Sequence, residues 1–150
     1  MIVKNKENLA NHLFEWRSKG LKIGFVPTMG ALHLGHLSLI EKAKSENDVV
    51  VCSIFVNPTQ FNDSKDFDKY PRTENADVQL LQNKGCDVIY LPSVEDIYQN
   101  ETEFKLDLKG LDKVMEGAYR PGHFLGVIRV VKRFFEIVQP TNAYFGLKDF

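Results

Sequence analysis

The chain has 150 residues, 43% of them apolar and 26% charged, and its formal net charge is −1. That length is enough for one domain with a hydrophobic core, and the composition is ordinary for a globular protein. Because the charge is balanced and the apolar runs are only strand-sized, we expect no nucleic-acid partner and no membrane span. No signal peptide is visible in the first residues, so we expect a cytoplasmic protein.

Helices and strands alternate in the first half of the chain. Residues 5 to 19 predict a helix with Asn5 as its N-cap. Apolar runs at residues 23 to 26 and 49 to 56 are suited to buried strands, and a second helix should begin near Gly35 between them. The residues that we expect to face inward from the two helices are Leu9, Leu13, Trp16, Leu37, Ile40 and Ala43.

The alternation continues in the second half. Thr73 predicts the N-cap of a helix on which Ala76 and Leu80 lie four residues apart, and Pro140 ends a long and regular helix. Three further strands are predicted, at residues 87 to 91, 103 to 108 and 143 to 145. The long helix has an apolar stripe that consists of Phe124, Val127, Val131, Phe134 and Val138. Its opposite face, which we expect to be solvated, carries Arg129, Lys132 and Arg133.

This order of elements predicts an α/β fold with an open parallel sheet and helices on both faces. The loops that follow the strands then meet at one edge of the sheet, where ligands of such folds bind. We therefore expect the site in the loops after Val26, Val56 and Phe145. Cys52 and Cys86 lie in or beside strand-like runs without metal-ligand spacing, and we expect them to be buried, reduced thiols.

The loop after the first apolar strand contains two histidines, His33 and His36, at a strand-to-helix junction. Residues three apart on a first helical turn lie on one side, and the helix N-terminus adds a partial positive charge. Gly30 and Gly35 have no side chains, so a phosphate can approach the backbone there, while imidazole N–H groups donate to its oxygens. A pair of capping or surface histidines is the plain alternative. A zinc site is another, although no third ligand cluster is apparent.

The segment Pro-Thr-Met-Gly-Ala-Leu-His-Leu-Gly-His resembles the nucleotide-binding motif of the nucleotidyltransferase superfamily, and its longer context resembles the pantothenate synthetases. The resemblance implies a Rossmann-like domain over residues 1 to 150 that binds ATP and pantoate. It implies that Met29 to His36 bind ATP, through Met29, Gly30, Ala31, Leu32, His33, Leu34, Gly35 and His36. His36 corresponds to the residue that is described as the proton donor in this family. The chemistry of the segment alone leaves the protonation state of His36 open.

The loop after residue 56, Asn-Pro-Thr-Gln-Phe, matches the same family. Side-chain amides both donate and accept hydrogen bonds, which suits a hydroxy acid such as pantoate. By resemblance Gln60 and Asn57 bind pantoate, and Gln60 also belongs to the β-alanine site. Turn formation by Asn-Pro is the alternative. The acidic segment from Asn62 to Thr73 is expected to be a solvated connection. Its last part, Tyr70 to Thr73, resembles the family, and a lid or dimer contact is a further option there.

Two later regions also match the family. Arg120 and His123 stand before the long helix and are candidates to line the site, or else form a plain turn. At the end of the chain, the resemblance implies ATP contacts by Gly146, Leu147, Lys148 and Asp149. Lys148, the third catalytic candidate after His33 and His36, would neutralise phosphate charge. Asp149 would hold Mg²⁺ or ribose. The chain departs from the family pattern at Arg129, where a threonine is usual, and at Leu147, where a glutamate is usual.

The resemblance implies an ATP-dependent ligase that joins pantoate to β-alanine through a pantoyl adenylate, with Mg²⁺ accompanying ATP, in a homodimer. We expect the family's smaller C-terminal domain to be absent from these 150 residues. Another nucleotidyltransferase with the same histidine motif is one alternative. A nucleotide-binding, self-associating fragment without turnover is the other.

Overall fold

The computed structural model describes residues 1–61, 63–99, 101 and 121–146, and the strands among them form one sheet. The strands are β1 (Ile2–Val3), β2 (Ile23–Thr28), β3 (Val49–Ile54), β4 (Val88–Tyr90) and β5 (Asn142–Ala143). They lie in the order β1-β4-β3-β2-β5, and every neighbouring pair is parallel. The prediction of an open parallel sheet is confirmed, whereas the strand predicted at residues 103 to 108 falls outside the described residues.

Helices connect these strands. They are α1 (Lys6–Ser18), α2 (Leu34–Glu46), α3 (Ser64–Lys69), α4 (Glu74–Asn83), α5 (Val94–Tyr98) and α6 (Pro121–Val138), with one 3₁₀ turn at Pro58–Gln60. The cap predicted for α1 is confirmed, since Asn5 Oδ1 accepts the Asn8 N–H at 2.8 Å. No helix in the described part of the chain is long and apolar enough to cross a membrane.

Both faces of the sheet are covered, as predicted. Because strand side chains alternate, Phe25, Val51 and Tyr90 point to one face, where they pack with α1 and α6. Val26, Cys52 and Ile89 point to the other face and pack with α2 and α4. Both cysteines are buried and unpaired, which confirms the expectation of buried thiols. Burial raises the pKa of the Cys86 thiol to about 12, so the uncharged form is strongly favoured.

Several predicted boundaries move in the structure. β3 ends at Ile54 instead of residue 56, and β5 covers Asn142–Ala143 instead of residues 143 to 145. α6 begins at Pro121, earlier than its apolar stripe indicates, because proline fits the first position of a helix, where no N–H bond is needed. The expected solvated connection contains α3, whose N-cap is Asp63.

Two helices bury polar side chains that the sequence pattern did not indicate. On α4, Asp77 and Leu81 are buried, whereas Ala76 is exposed. On α6, Arg133 is 6% exposed instead of solvated, and its Nε donates to the Ile97 carbonyl at the end of α5. A guanidinium can be buried when backbone carbonyls accept its N–H groups, and α5 supplies that partner.

The topology brings two strand ends together at the expected edge. The chain leaves β2 through α2 toward β3 and β4 on one side, and later returns through α6 to β5 on the other side of β2. The neighbours β2 and β5 therefore flank the point where the strand order reverses. Ligands of open α/β sheets bind at such a switch point. The loop from Met29 to His36 follows β2 at this point.

Candidate active site

The loop after β2 is tied to the sheet at its first turn. Thr28 Oγ1 donates to the Ser53 carbonyl at 2.8 Å and accepts the Gly30 N–H at 3.2 Å. Gly30 has φ 80° and Ala31 has φ 51°, so two consecutive residues adopt the left-handed conformation. This conformation is easy for glycine and costs about 1–2 kcal/mol for alanine, so the surrounding contacts must hold Ala31 in place.

The main contact that holds this turn comes from α4. Asp77, which is 2% exposed, accepts the N–H groups of Ala31 at 2.9 Å and Leu32 at 3.0 Å. Thr73 occupies the N-cap position of α4 as predicted, but it makes no capping bond to the helix backbone. Its hydroxyl instead donates to Asp77 Oδ2 at 3.1 Å, which is a hydrogen bond to a charged acceptor. The sequence did not identify Asp77 as a site residue. An acidic residue in the first turn of a helix indicates only a favourable interaction with the helix dipole.

The two histidines form a reciprocal pair at the start of α2. His33 is the N-cap residue, and its Nδ1 accepts the Gly35 N–H at 3.0 Å. His36 Nδ1 accepts the His33 N–H at 3.2 Å. Their ring centroids lie 4.1 Å apart, with His36 buried and His33 exposed. The structure thus brings both imidazoles to one place, as their spacing predicts.

These two bonds fix the tautomer of each ring. A nitrogen that accepts an N–H group offers its lone pair, so the Nδ1 atoms of His33 and His36 carry no hydrogen. In a neutral imidazole the hydrogen then lies on Nε2. In its neutral form, each ring can therefore donate a hydrogen bond only through Nε2.

The expected backbone cradle for a phosphate is not supported by this geometry. The N–H groups of five loop residues are already bonded within the protein, those of Gly30, Ala31, Leu32, His33 and Gly35. The glycines are needed for other reasons. A Cβ on Gly30 would lie 3.0 Å from Asp77 Oδ2, and one on Gly35 would lie 2.8 Å from His33 Cε1. Both glycines therefore also make room for protein side chains, a role that the sequence did not indicate.

The loop after β3 places Asn57 and Gln60 in the interior, each 1% exposed. Asn57 Oδ1 accepts from the Thr59 N–H at 3.2 Å and from the Tyr98 hydroxyl at 2.7 Å, while Nδ2 donates to the Gly126 carbonyl at 3.0 Å. The same Nδ2 lies 3.3 Å from Gln60 Oε1. The Asn57 amide is therefore fully engaged inside the protein, and one of its contacts orients the Gln60 amide.

Gln60 connects the two loops. Its Nε2 donates to Met29 Sδ at 3.0 Å. Gln60, which is expected to bind pantoate, therefore contacts the first residue of the segment that is expected to bind ATP. A small pocket of about 10 Å³ lies beside this contact. It is lined by Met29, by Gln60 of the 3₁₀ turn and by Val130 and Phe134 of α6, among others. This volume holds about one water molecule, so a larger ligand must widen the space between the turn and α6.

A second cavity, of about 280 Å³, is also lined by Met29, together with Gly30 and Asp77. Phe67 of α3 and Arg72 line its outer wall, and the Arg72 guanidinium lies 4.8 Å from the centre of the Phe67 ring. The segment from Asn62 to Thr73, which was expected to be a solvated connection, therefore contributes a wall next to the loop that is expected to bind ATP.

The departure at Arg129 has a structural explanation. Arg129 donates from Nε and from the guanidinium NH2 group to both carboxylate oxygens of Glu101, at 2.6 to 3.1 Å, and its guanidinium lies 4.1 Å from the centre of the Tyr98 ring. The Arg129 hydrogen bonds hold the pKa of Glu101 below its ordinary value. Burial raises the pKa of Tyr98. Arg129 therefore holds in place the tyrosine that donates to Asn57, a role that a threonine is too short to fill.

Some predicted site residues lie outside the described part of the chain. They are Arg120, the side chain of His123, Leu147, Lys148 and Asp149. Gly146 is described and follows β5 by three residues, at the strand end next to the histidine loop. Within the described residues, no group of three His, Cys, Asp or Glu side chains is placed to hold a metal ion.

Comparison with known proteins gives a consistent result. The family model for pantoate-beta-alanine ligase matches residues 1–150. The pantothenate synthetase of Phocaeicola vulgatus is 54% identical over 149 residues, which are 99% of this chain and 53% of that protein. The enzyme of Cytophaga hutchinsonii is 51% identical over 143 residues, which are 95% of this chain and 50% of that protein. The chain thus spans about half the length of the curated relatives it matches.

Solved structures match the fold. Pantoate-beta-alanine ligase from Francisella tularensis, in a complex with β,γ-ATP and β-alanine, has a TM-score of 0.83 and 46% identity, and the match covers 96% of this chain and 55% of that one. Pantothenate synthetase from Thermus thermophilus has a TM-score of 0.81 and 45% identity, over 99% of this chain and 52% of that one. The Rossmann-like class predicted from the sequence is confirmed.

Proposed function

Because this chain belongs to the pantoate-beta-alanine ligase family, we propose that it forms the ATP- and pantoate-binding part of a ligase that condenses pantoate with β-alanine. The observation that carries this proposal is the pair of capped imidazoles at the start of α2, beside the Gln60–Met29 contact. It brings two N–H donors and a side-chain amide to one strand edge. The Francisella structure, a complex with β,γ-ATP and β-alanine, supports the same ligand chemistry.

ATP lies over the Met29–His36 loop in this proposal. The Nε2–H groups of His33 and His36 donate to phosphate oxygens, and the partial positive charge of the α2 N-terminus favours the anion. Donors that are already oriented stabilise the charge that develops on those oxygens without reorganisation. Because both caps define the Nε2–H tautomer, His36 acts as a hydrogen-bond donor and need not transfer its proton. Gly146, Leu147, Lys148 and Asp149 follow the neighbouring strand and complete the ATP site, with Lys148 on the phosphates.

Pantoate binds at Gln60, which also serves β-alanine later in the reaction. With its Oε1 facing the Asn57 amide, Gln60 presents Nε2 as the donor for a carboxylate or hydroxyl oxygen. Asn57 orients Gln60 instead of contacting the ligand, since its own groups are engaged. The ligand takes the place of the Gln60–Met29 contact and widens the small pocket toward α6. Arg120 and His123, at the start of α6, are proposed to line this side of the site.

The chemistry has two steps. A pantoate carboxylate oxygen attacks the α-phosphorus, the bond to the β-phosphate oxygen breaks, and pyrophosphate leaves. The β-alanine amine then attacks the acyl carbon, the bond to AMP breaks, and the amine loses a proton to water. Positioning of the two substrates accounts for much of such an acceleration, and the protein's donors stabilise the developing charge.

Mg²⁺, the assembly and the location are part of the same proposal. Mg²⁺ prefers phosphate oxygens and water, so it would arrive on ATP, with Asp149 as an additional oxygen ligand. We propose a homodimer in the cytoplasm, with the segment from Tyr70 to Thr73 as a lid or dimer contact. Since the chain spans half the length of its relatives, we propose that it binds ATP weakly and turns over little pantoate without the remaining half.

The test separates binding from turnover. ATP is titrated into the chain by calorimetry, and pyrophosphate release is measured with and without pantoate. We expect ATP binding that pantoate does not abolish, and pyrophosphate release that depends on pantoate once the second half of a relative is supplied. Pyrophosphate release that is indifferent to pantoate would favour another nucleotidyltransferase, and an absence of ATP binding would refute the proposal.

A further inference from the structure

We propose that Asp77 is a positioning residue, which holds the Gly30–Leu32 turn and thereby places His33 and His36 for the nucleotide. The inference rests on the proposed nucleotide role of that loop, but the contacts themselves are independent of it. Asp77 lies 41 residues further along the chain than His36. It belongs to α4, which packs on the same face of the sheet as α2.

The Asp77 carboxylate faces three donors at once. Oδ2 accepts from the Ala31 N–H at 2.9 Å and from the Thr73 hydroxyl at 3.1 Å, and Oδ1 accepts from the Leu32 N–H at 3.0 Å. An ionised carboxylate only accepts hydrogen bonds, so both oxygens suit this environment. An asparagine has one oxygen and one NH₂ group, and therefore must turn a donor toward another donor.

The fit around Asp77 is tight. A Cβ at Gly30 would lie 3.0 Å from Oδ2, so the carboxylate fills the space that this glycine leaves open. The same carboxylate bonds Ala31, whose φ of 51° is unfavourable for an alanine. Since two successive amides are bonded to one side chain, the direction of the chain into His33 is defined before α2 begins.

The consequence concerns the histidine pair. Leu32 precedes His33, the N-cap whose ring and backbone make both capping bonds with the first turn of α2. If the turn relaxes, the N-cap moves and the two rings, whose centroids lie 4.1 Å apart, lose their arrangement. A displacement of about 1 Å at such a site costs on the order of 100-fold in rate. In this inference Asp77 acts through the loop and not by contact with the nucleotide.

The test uses Asp77→Asn, with Asp87→Asn as its matched control. Asp87 also accepts a backbone amide, the Val50 N–H at 2.8 Å, and pairs with Lys44 at 3.6 Å. It precedes β4 and so lies at the opposite edge of the sheet from the histidine loop. Both variants remove one carboxylate that holds a backbone segment, but only one of them adjoins the proposed nucleotide site.

Three quantities are measured on each chain: the free energy of unfolding in urea, the amide spectrum, and the ATP dissociation constant. We expect Asp77→Asn to shift the amide resonances of Ala31 and Leu32 and to weaken ATP binding about 10-fold, the factor that one hydrogen bond to a charged group represents. Asp87→Asn should change the ATP dissociation constant less than about twofold, even at a comparable loss of stability.

The outcomes are distinct. If the two amide resonances do not move in Asp77→Asn, the contact is absent and the inference is overturned. If they move but ATP binds as in the unsubstituted chain, the turn does not position the site, and the inference is again overturned. Failure of the unsubstituted chain to bind ATP would overturn the proposed function, while the amide shifts would still report the contact.

A second variant keeps the test decisive if Asp77→Asn does not fold. Thr73→Val removes only the hydroxyl that donates to Oδ2 and retains the carboxylate. We expect the folded variant to bind ATP about two- to fivefold more weakly. Unchanged ATP affinity in that variant would overturn the inference.

Discussion

Replacement of Gly126 by alanine should separate α6 from the 3₁₀ turn that carries Gln60. An added Cβ would lie 2.3 Å from the Thr59 carbonyl oxygen and 2.5 Å from Gln60 Cα. Comfortable carbon contacts lie at about 3.5–4.0 Å, so more than about 1 Å of separation is required. Both sides of the contact are backbone, and no side-chain rotation relieves it.

The expected magnitude follows from three contributions. Overpacking in an interior costs about 1–3 kcal/mol. The bond from Asn57 Nδ2 to the Gly126 carbonyl, 3.0 Å long, would stretch at a cost of about 1 kcal/mol. Alanine returns about 1 kcal/mol through its higher helix propensity. We therefore expect Gly126→Ala to lower the free energy of unfolding by about 1–3 kcal/mol.

Urea denaturation of the chain measures this change, with Ser38→Ala as a control. Ser38 is exposed on α2, and its hydroxyl bonds only to the Leu34 carbonyl one turn earlier, so this variant should stay within about 0.5 kcal/mol. A Gly126→Ala chain that is as stable as the unsubstituted chain, or more stable, would refute the close approach of α6 to the turn.

The remaining predictions concern the same region. Gln60→Ala should weaken pantoate binding by about 1–3 kcal/mol and ATP binding much less, and equal weakening in calorimetry would argue against its assignment. Tyr98→Phe removes the hydroxyl that donates to Asn57, so pantoate affinity and the free energy of unfolding should both fall, the latter by about 1 kcal/mol. Arg129 lowers the pKa of Glu101 in the folded chain. The pair therefore stabilises the fold at pH values above the pKa of an unfolded glutamate, about 4.3, and this stabilisation is lost as the pH falls through the lower folded pKa. The stability difference between the chain and Glu101→Gln should thus be about 1 kcal/mol at pH 7 and shrink below about pH 4, and a constant difference would contradict the pairing.

Local patterns were sufficient to predict most of the scaffold. The 3.6-residue spacing of Leu9 and Leu13, with Asn5 before them, identifies α1, and the apolar run at β3 can only be a buried strand in this context. Alternation of such elements then predicts the parallel sheet and the edge that carries the site. The proximity of His33 and His36 could also be predicted, because the two residues are only three positions apart in the sequence.

The contacts between distant segments could not be predicted in the same way. Asp77 bonds a loop that is 45 residues away, and nothing in its own helix distinguishes it from a solvated acidic residue. Arg129 and Glu101 are 28 residues apart, so their pairing depends on how α6 packs against α5. The buried face of α4 could not be predicted for a related reason, since a buried carboxylate interrupts its apolar pattern.

The most direct test of the central claim is a nitrogen-15 spectrum of the histidine rings during an ATP titration. Without ATP, His33 and His36 should each show hydrogen on Nε2 and a bare Nδ1, as their caps require. On addition of ATP, both Nε2–H resonances should shift together, while those of His12, which stacks on Trp16 in α1, should not. ATP binding that leaves the His33 and His36 resonances unchanged would contradict the account.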